Sequence, residues 1–324
     1  MTPSHWKKLG TRQIYPPRLE TAPYDENPLT VVTYLALKSV KGICILNDIA
    51  ITPEDFKAFR EFFYRKTGIR FEGSKRYFVD KRLIDRVRAT GSISFRNYFM
   101  LLRFQSSGEE LQTLTNLMTV NETYFFREEY QFKCLVRSML PEIIASKAPG
   151  TLLRIWCIPS SSGEEPYSIA LYVTEFWSDI DKWDVQLISS DIDTDMLNKA
   201  RAGRYAARSV QNVPLDVLRK KFKKTRDGEY LIDEVYRQSV EFTRVNLNEP
   251  AETKNYRDFD IIFCRNLLIY FDDHSRRKAA EVFFDALLPG GFICLGHSES
   301  MSRITSTFRV RKFPDAIVYQ KPKV

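Results

Sequence analysis

Leu152–Tyr172 reads LLRIWCIPSSSGEEPYSIALY, and three signals follow one another within it. Leu152–Cys157 is an apolar run of strand length. Ser160–Gly163 is a turn of small residues. From Glu164 onward the acids and Pro166 stand where a helix start favours them. Strand, small-residue turn and helix form the opening unit of a doubly wound α/β fold, which binds ligands at the carboxyl ends of its strands. The turn is no phosphate cradle. It lacks GxGxxG and the P-loop pattern, no Lys or Arg stands between Cys157 and Tyr172, and Glu164 and Glu165 would repel a pyrophosphate. A cationic or polyhydroxyl ligand fits better. The plain alternative is an ordinary strand-to-helix turn with a charged first turn.

Downstream, strand and helix signals alternate. Val185–Ser190 reads as a second strand ending in Asp191-Ile192-Asp193. Asp191 follows Gly163 by 28 residues. That is near the spacing, about 20 residues, at which a second-strand acid takes ribose hydroxyls in a dinucleotide fold. Asp195–Arg201 continues as a helix. Tyr205–Glu241 predicts a helix and an antiparallel hairpin turning at Asp227-Gly228, set into the main domain at about 206–240. Val240–Asn246 returns to the sheet. Phe259–Cys264 is a strongly apolar strand, a central one by pattern. It runs into Arg265-Asn266-Leu267-Leu268-Ile269-Tyr270-Phe271. Ser275–Leu288 predicts a helix, Pro289-Gly290-Gly291 a turn, Phe292–Leu295 a strand. Phe308–Phe313 and Ala316–Tyr319 predict a terminal hairpin.

Upstream, Thr52-Pro53-Glu54-Asp55 is a helix start, with Phe56, Phe59 and Phe63 on one face. Gly68 ends that helix. Ser74–Ala89 predicts a second helix, with Phe78, Leu83 and Val87 as core, and a third begins near Ser94 with Tyr98, Leu101 and Leu102. Thr52–Gln105 holds 13 Lys and Arg against 6 Asp and Glu, nearly all of the chain's net charge of +8. Lys75, Arg82 and Arg86 share one helix face, a surface for an acidic partner or simply a solvated one. Glu109–Met118 is a linking helix, and Thr119–Arg127 a polar and aromatic loop that aims Arg127 at a cleft. The organisation expected is an extension over 1–50, a basic helical domain over 51–108, a link over 109–150 and an α/β domain over 151–324.

The composition is that of a globular chain, 44% hydrophobic and 28% charged. Five cysteines form no CxxC and no metal-ligand spacing, which suits a reducing cytoplasm and no metal. The apolar stretch Leu29–Leu46 is broken by Lys38 and Lys41, so no membrane insertion is expected.

Five blocks of this sequence together resemble the CheR-type chemotaxis receptor methyltransferases. They are NETYFFRE (Asn121–Glu128), SSGEEPYSIA (Ser161–Ala170), SDIDTDMLNKARAGRY (Ser190–Tyr205), FDIIFCRNLLIYFD (Phe259–Asp272) and LLPGGFICLGHSES (Leu287–Ser300). They stand in the family's order, and the resemblance spans Thr52 to Tyr319. It implies a class I S-adenosylmethionine-dependent methyltransferase sheet with a small all-α N-terminal domain and a small antiparallel β insert. It implies methyl transfer from S-adenosyl-L-methionine to chemoreceptor glutamates, leaving S-adenosyl-L-homocysteine, in the cytoplasm.

The resemblance also implies residue roles. Asn121, Thr123 and Arg127 touch the cofactor, with Arg127 near its methionine end and the acceptor. Glu165 faces the methionine ammonium, and Asp191 the ribose. Asn246 and Leu247 lie on the adenine side, Arg265 and Asn266 at the end of the fourth strand, and Tyr270 beside the transferred methyl. Lys75, Arg82 and Arg86 would dock the acidic helical cytoplasmic region of a receptor. His297 is expected to pack structurally. A glutamate acceptor is ionised at pH 7, so no Ser/His/Asp or Cys/His set is needed.

Two departures stand out. Ile158-Pro159-Ser160 replaces the Gly-Cys of many members. Lys224–Gly228 lacks the glycine-bracketed loop that grips a receptor pentapeptide in some, so a pentapeptide-independent enzyme is expected. A nucleic-acid methyltransferase is disfavoured by Arg265-Asn266-Leu267-Leu268, where amino-methylating DNA enzymes carry a Pro-Pro motif. A non-catalytic cofactor-binding relative is disfavoured by Arg127 and Tyr270.

Overall fold

The computed structural model describes residues 49–323; residues 1–48, with Cys44 and the Leu29–Leu46 stretch, lie outside the described residues. The first elements are four helices: α1 Pro53–Thr67, α2 Arg76–Ala89, α3 Phe95–Phe104 and α4 Glu109–Met118. The start of α1 follows from a reciprocal capping box. Asp55 N–H donates to Thr52 Oγ1 (3.1 Å) and Thr52 N–H to an Asp55 carboxylate oxygen (3.3 Å). Gly68 closes the helix in the left-handed region at φ 74°. Phe59, Phe63, Val79, Leu83, Val87 and Tyr98 are fully buried between the helices. Phe78 is only half-buried and Leu101 is exposed, so Val79 stands in the core of α2 beside the expected Leu83 and Val87, and Tyr98 and Leu102 form that of α3.

The remaining helices are α5 Glu129–Cys134, running through a π turn (Leu135–Met139) into α6 Leu140–Ile144, then α7 Glu164–Phe176, α8 Thr194–Ala202, α9 Leu215–Lys221, α10 Glu234–Ser239, α11 Pro250–Thr253 and α12 Asp273–Ala286. The strands are β1 Leu153–Cys157, β2 Val185–Asp191, β3 Arg204–Tyr205, β4 Phe222–Lys224, β5 Tyr230–Ile232, β6 Val240–Arg244, β7 Phe259–Cys264, β8 Leu287–Leu295, β9 Arg309–Lys312 and β10 Ile317–Gln320. Seven of them form one sheet in the order β6-β2-β1-β7-β8-β10-β9. The pairs from β6 to β8 are parallel, and β10 is antiparallel to both β8 and β9. This is an α/β methyltransferase sheet of class I with an antiparallel edge.

β1 is an interior strand between β2 and β7, and its alternate residues face opposite sides. Leu153, Ile155 and Cys157 join the core on one face, Trp156 and Ile158 the core on the other. Both faces are covered by helices, so the strand reads as a mostly apolar run, interrupted by Arg154 alone, rather than an alternation.

Two sequence expectations change. Pro289-Gly290-Gly291 is not a turn before a strand but an irregularity inside β8. Leu287 pairs with Phe259 and Phe292 with Ile261, so β8 carries three more residues than β7 between these pairs. Gly291 is pressed between the Leu288 and Asp260 carbonyls, where a Cβ would lie 2.9 and 3.0 Å from their oxygens. The insert is also larger than a helix and hairpin. It opens with β3, forms a sheet in the order β3-β5-β4, and ends in α10. A two-residue strand leaves too short a pattern to read.

Candidate active site

A cavity of about 860 Å³ opens where β1, β2 and β7 end. Pro159, Asp191, Asn266 and Tyr270 line it from the sheet, Asn121 from the link after α4, and Lys75 from the helical domain. The Ile158–Pro159 peptide bond is cis. The helices are fastened against this mouth. Asn246 and Asn248 donate their side-chain amides to the Lys66 and Arg65 carbonyls (2.7 and 2.8 Å), which the last turn of α1 leaves unpaired. Ile69 bridges to Phe271, and Tyr64 donates its hydroxyl to Asp272 (3.0 Å).

Asp191 ends β2 almost fully buried. One carboxylate oxygen accepts the Ser161 N–H (2.7 Å), the other the Asp193 N–H (2.9 Å). Burial raises its pKa to about 6, against the pull of those N–H groups. Next to it Ser160 and Ser161 bury hydroxyl oxygens that have no partner within the protein. A buried carboxylate on the cavity wall, with two unpaired hydroxyls close behind it, fits a polyhydroxyl ligand. Gly163 does not face that ligand. It lies at φ 95°, and a Cβ there would meet Ala200 at 2.9 Å, so it is small for packing against α8.

Behind the cavity lies an unequal charge cluster. The Arg265 side chain is 0% exposed and donates to Glu165 (2.7 Å) and to the Arg127 carbonyl (2.6 Å), with Glu128 at 3.3 Å. Burial pushes the Glu165 carboxyl up and Arg265 holds it back. Burial also opposes ionisation of Glu128, but Arg265 and His297 outweigh it and keep that carboxyl below its usual range. With both acids ionised, two carboxylates share one guanidinium, and one negative charge is left over. His297, 68% exposed, reaches Glu128 at 3.0 Å, so it sits on the surface rather than packing in the core.

Arg127 hangs on a constrained loop. Phe126 and Glu128 on either side of it both have φ 57°, a region that few residues without a glycine's freedom adopt. Phe125 is wedged edge-on against Tyr205 (4.8 Å) and Phe222 (5.2 Å), which locks the loop to the insert. The Arg127 guanidinium donates to the Glu122 carbonyl (2.8 Å). Tyr270 is 38% exposed into the cavity. Burial raises its phenol pKa, and the Arg127 charge opposes the rise.

The structure therefore brings Asn121, Asp191, Asn266 and Tyr270 to one cavity wall, with Lys75 at its rim. Glu165, Arg265 and the Arg127 backbone meet in the cluster. Thr123 is half-buried in the loop, and Leu247 is buried behind β6. Asn121 spends its amide on Asp193 (2.9 Å) and Thr119 (3.0 Å). Asn246 spends its own on α1.

The basic docking face is partly spent within the fold. Arg86 forms a two-bond pair with Glu110 (2.7 and 2.9 Å), and Arg82 donates to the Leu117 carbonyl (2.6 Å) while its guanidinium covers the Phe78 ring at 3.4 Å. Both arginines tie α2 to α4. Of the three, Lys75 alone is exposed and points a charge outward. The helical period that placed them together could not reveal that a second helix covers that face.

Sequence reasoning assigned no role to Asp193 or Glu128. Asp193 is fully buried, caps α8 through Asp195 and Met196 N–H, and gathers Thr119 and Asn121. Its Asp-Thr-Asp context is a helix-cap signal that could have found it. Nothing local marks Glu128, whose partner is 137 positions away.

Among the described residues no cluster of His, Cys, Asp and Glu is suited to a metal, and no helix is long and apolar enough to cross a membrane. Residues 54–119 match the family description "CheR methyltransferase, all-alpha domain", and residues 121–317 match "CheR methyltransferase, SAM binding domain". The chain is 56% identical over 278 residues to chemotaxis protein methyltransferase 2 of Vibrio cholerae, covering 86% of this chain and 96% of that one. It is 37% identical to chemotaxis protein methyltransferase 2 of Pseudomonas aeruginosa, over 77% of this chain and 87% of that one. It is 33% identical to the chemotaxis protein methyltransferase of Salmonella typhimurium, over 81% and 89%.

Proposed function

The chain belongs to the CheR methyltransferase family, and from that premise we propose that it transfers methyl groups from S-adenosylmethionine to glutamate side chains of chemoreceptors. The observation that carries this reading is the cavity itself. It lies at the carboxyl ends of parallel strands, with Asp191 and Tyr270 on its wall, and it is backed by a cluster in which two carboxyls share one guanidinium.

The residues present fit the cofactor. Asp191 would take the ribose hydroxyls. The Glu165–Arg265–Glu128 cluster would take the methionine ammonium, which supplies the positive charge the cluster lacks. Asn121, Thr123 and Asn266 would border the methionine end, with Asn246 and Leu247 on the adenine side. S-adenosylmethionine supplies a sulfonium methyl open to in-line displacement, and S-adenosylhomocysteine is what remains.

The protein's own task is alignment and exclusion of water. A glutamate acceptor is a carboxylate near neutral pH and needs no base. Arg127 would release the Glu122 carbonyl and hold the acceptor as a two-pronged donor. Tyr270 would fix the acceptor's line of approach. The receptor's acidic cytoplasmic helices would dock beside Lys75, with Lys81 and Arg88 as further exposed cations of α2. The compact turn Thr225–Gly228 supports action without a tethering pentapeptide.

The test is labelled methyl transfer to cytoplasmic receptor fragments, with and without a C-terminal pentapeptide. Label that base releases as methanol, lost when acceptor glutamates become alanine, is the expected result. Binding of S-adenosylhomocysteine without any transfer would overturn the enzymatic reading.

A further inference from the structure

The chain after β7 must turn back under the cavity, and it leaves backbone donors behind. Strand pairing between β7 and β8 ends at Cys264 and Leu295. Asn266 then takes φ 57°, and a short turn brings Tyr270 to the cavity. Beyond the last ladder bond the N–H groups of Asn266, Ile269 and Gly296 need partners. All three point at one side chain. Glu299 accepts Asn266 N–H at 2.8 Å and Gly296 N–H at 2.9 Å on one oxygen, and Ile269 N–H at 3.3 Å on the other. The carboxylate thus staples the ends of two adjacent strands. Gly296 leaves room for it: a Cβ there would lie 3.0 Å from the Glu299 oxygen and 2.8 Å from the Asn266 amide.

We infer that Glu299 is a positioning residue that fixes Tyr270 for methyl transfer through the backbone of the Asn266–Ile269 turn. Tyr270 is pinned on both sides. Ile269 before it is bonded to Glu299, and Phe271 after it is bridged to Ile69 of the helical domain. Glu299 does not line the cavity, so its effect passes through the turn and not through contact with either substrate. A charged acceptor for several N–H groups is about twice as strong as a neutral one, which suits a turn held in a left-handed conformation. The inference rests on the methyl-transfer reading. That reading fails if the wild-type chain transfers no methyl, whereas this inference is judged by variants against an active wild type.

The experiment pairs steady-state kinetics on receptor fragments with amide hydrogen exchange on the full chain. Glu299→Ala is expected to lower kcat about tenfold or more with both KM values within about threefold. Exchange should accelerate at Asn266, Ile269 and Gly296 and stay unchanged within β1 and β2. Glu299→Gln keeps one oxygen that accepts the two shorter bonds but turns an amide NH2 towards the Ile269 N–H, so it should recover only part of the loss. If Glu299→Ala does not fold, Gly296→Ala disturbs the same staple and should give the same kinetic signature. Wild-type kcat in the folded variant, unchanged exchange at the three amides, or Glu299→Gln as slow as Glu299→Ala would each overturn the inference.

Discussion

Arg265 is fully buried and Arg86 half-buried, and both are held by carboxylates, yet their surroundings differ by one acid. Arg86 meets Glu110 alone, with the Tyr98 hydroxyl donating to the same carboxylate at 2.8 Å, so the charges close. Arg265 meets two acids, Glu165 and Glu128, and the charges do not close. A closed pair ties helices together and asks for nothing more. An open cluster next to a cavity has room for a cation. The difference separates a structural arginine from one that prepares a binding site, although both look alike in a charge count.

The largest effect should come from breaking the open cluster. Arg265→Met would leave two largely buried acids without their shared guanidinium, and truncating one partner of a buried ionic group costs about 3–5 kcal/mol. Urea unfolding should register that loss, and calorimetry the loss of S-adenosylhomocysteine binding. Arg86→Met strands Glu110, whose side chain is 8% exposed, with only the Tyr98 hydroxyl. An expected loss of about 1–3 kcal/mol follows from leaving such a group unpaired. Here cofactor affinity should stay unchanged, and a parallel loss of affinity would erase the distinction between the two arginines.

A third, smaller effect is one of pH. Burial raises the Asp191 pKa to about 6 in the free protein, and on the proposed binding mode ribose hydroxyls would donate to its ionised form. Affinity should therefore be flat above that pH. Below it the ionised fraction falls, and the dissociation constant should rise about tenfold per pH unit. Asp191→Asn should bind weakly and lose the step; a step that persists in this variant would belong to another group. The smallest effect is at the rim. Lys75→Glu should raise KM for a receptor fragment only a few-fold, more at low salt, because exposed charges are worth under about 1 kcal/mol. Its melting temperature should not move.

The sequence is most legible where the signal is local. The capping box at Thr52, the strongly apolar strand Phe259–Cys264 and the strand–turn–helix at Leu153–Phe176 each depend on near neighbours, and each folds within a residue or two of its expected bounds. Asp191 and Tyr270 reach one cavity as their places after β2 and β7 imply. What sequence reasoning could not see is how a charge is spent. Arg82 and Arg86 share a helix face, but α4 covers it. Asn246 reads as a ligand contact, yet in the free protein its amide caps α1. Glu128 and Glu299 act through backbone and side-chain groups that only folding brings together. In each case the partner lies on another element, beyond the reach of any periodicity.

The central claim is that the Glu165–Arg265–Glu128 cluster keeps one negative charge for the ammonium of the cofactor. Calorimetry tests it directly by comparing S-adenosylhomocysteine with its deaminated analogue on the wild-type protein and on Glu165→Gln. The account predicts that losing the amino group weakens binding to the wild type at least tenfold, about 1.4 kcal/mol, and that Glu165→Gln closes this gap. Equal binding of the two ligands by the wild type, or a gap unchanged in the variant, would contradict it.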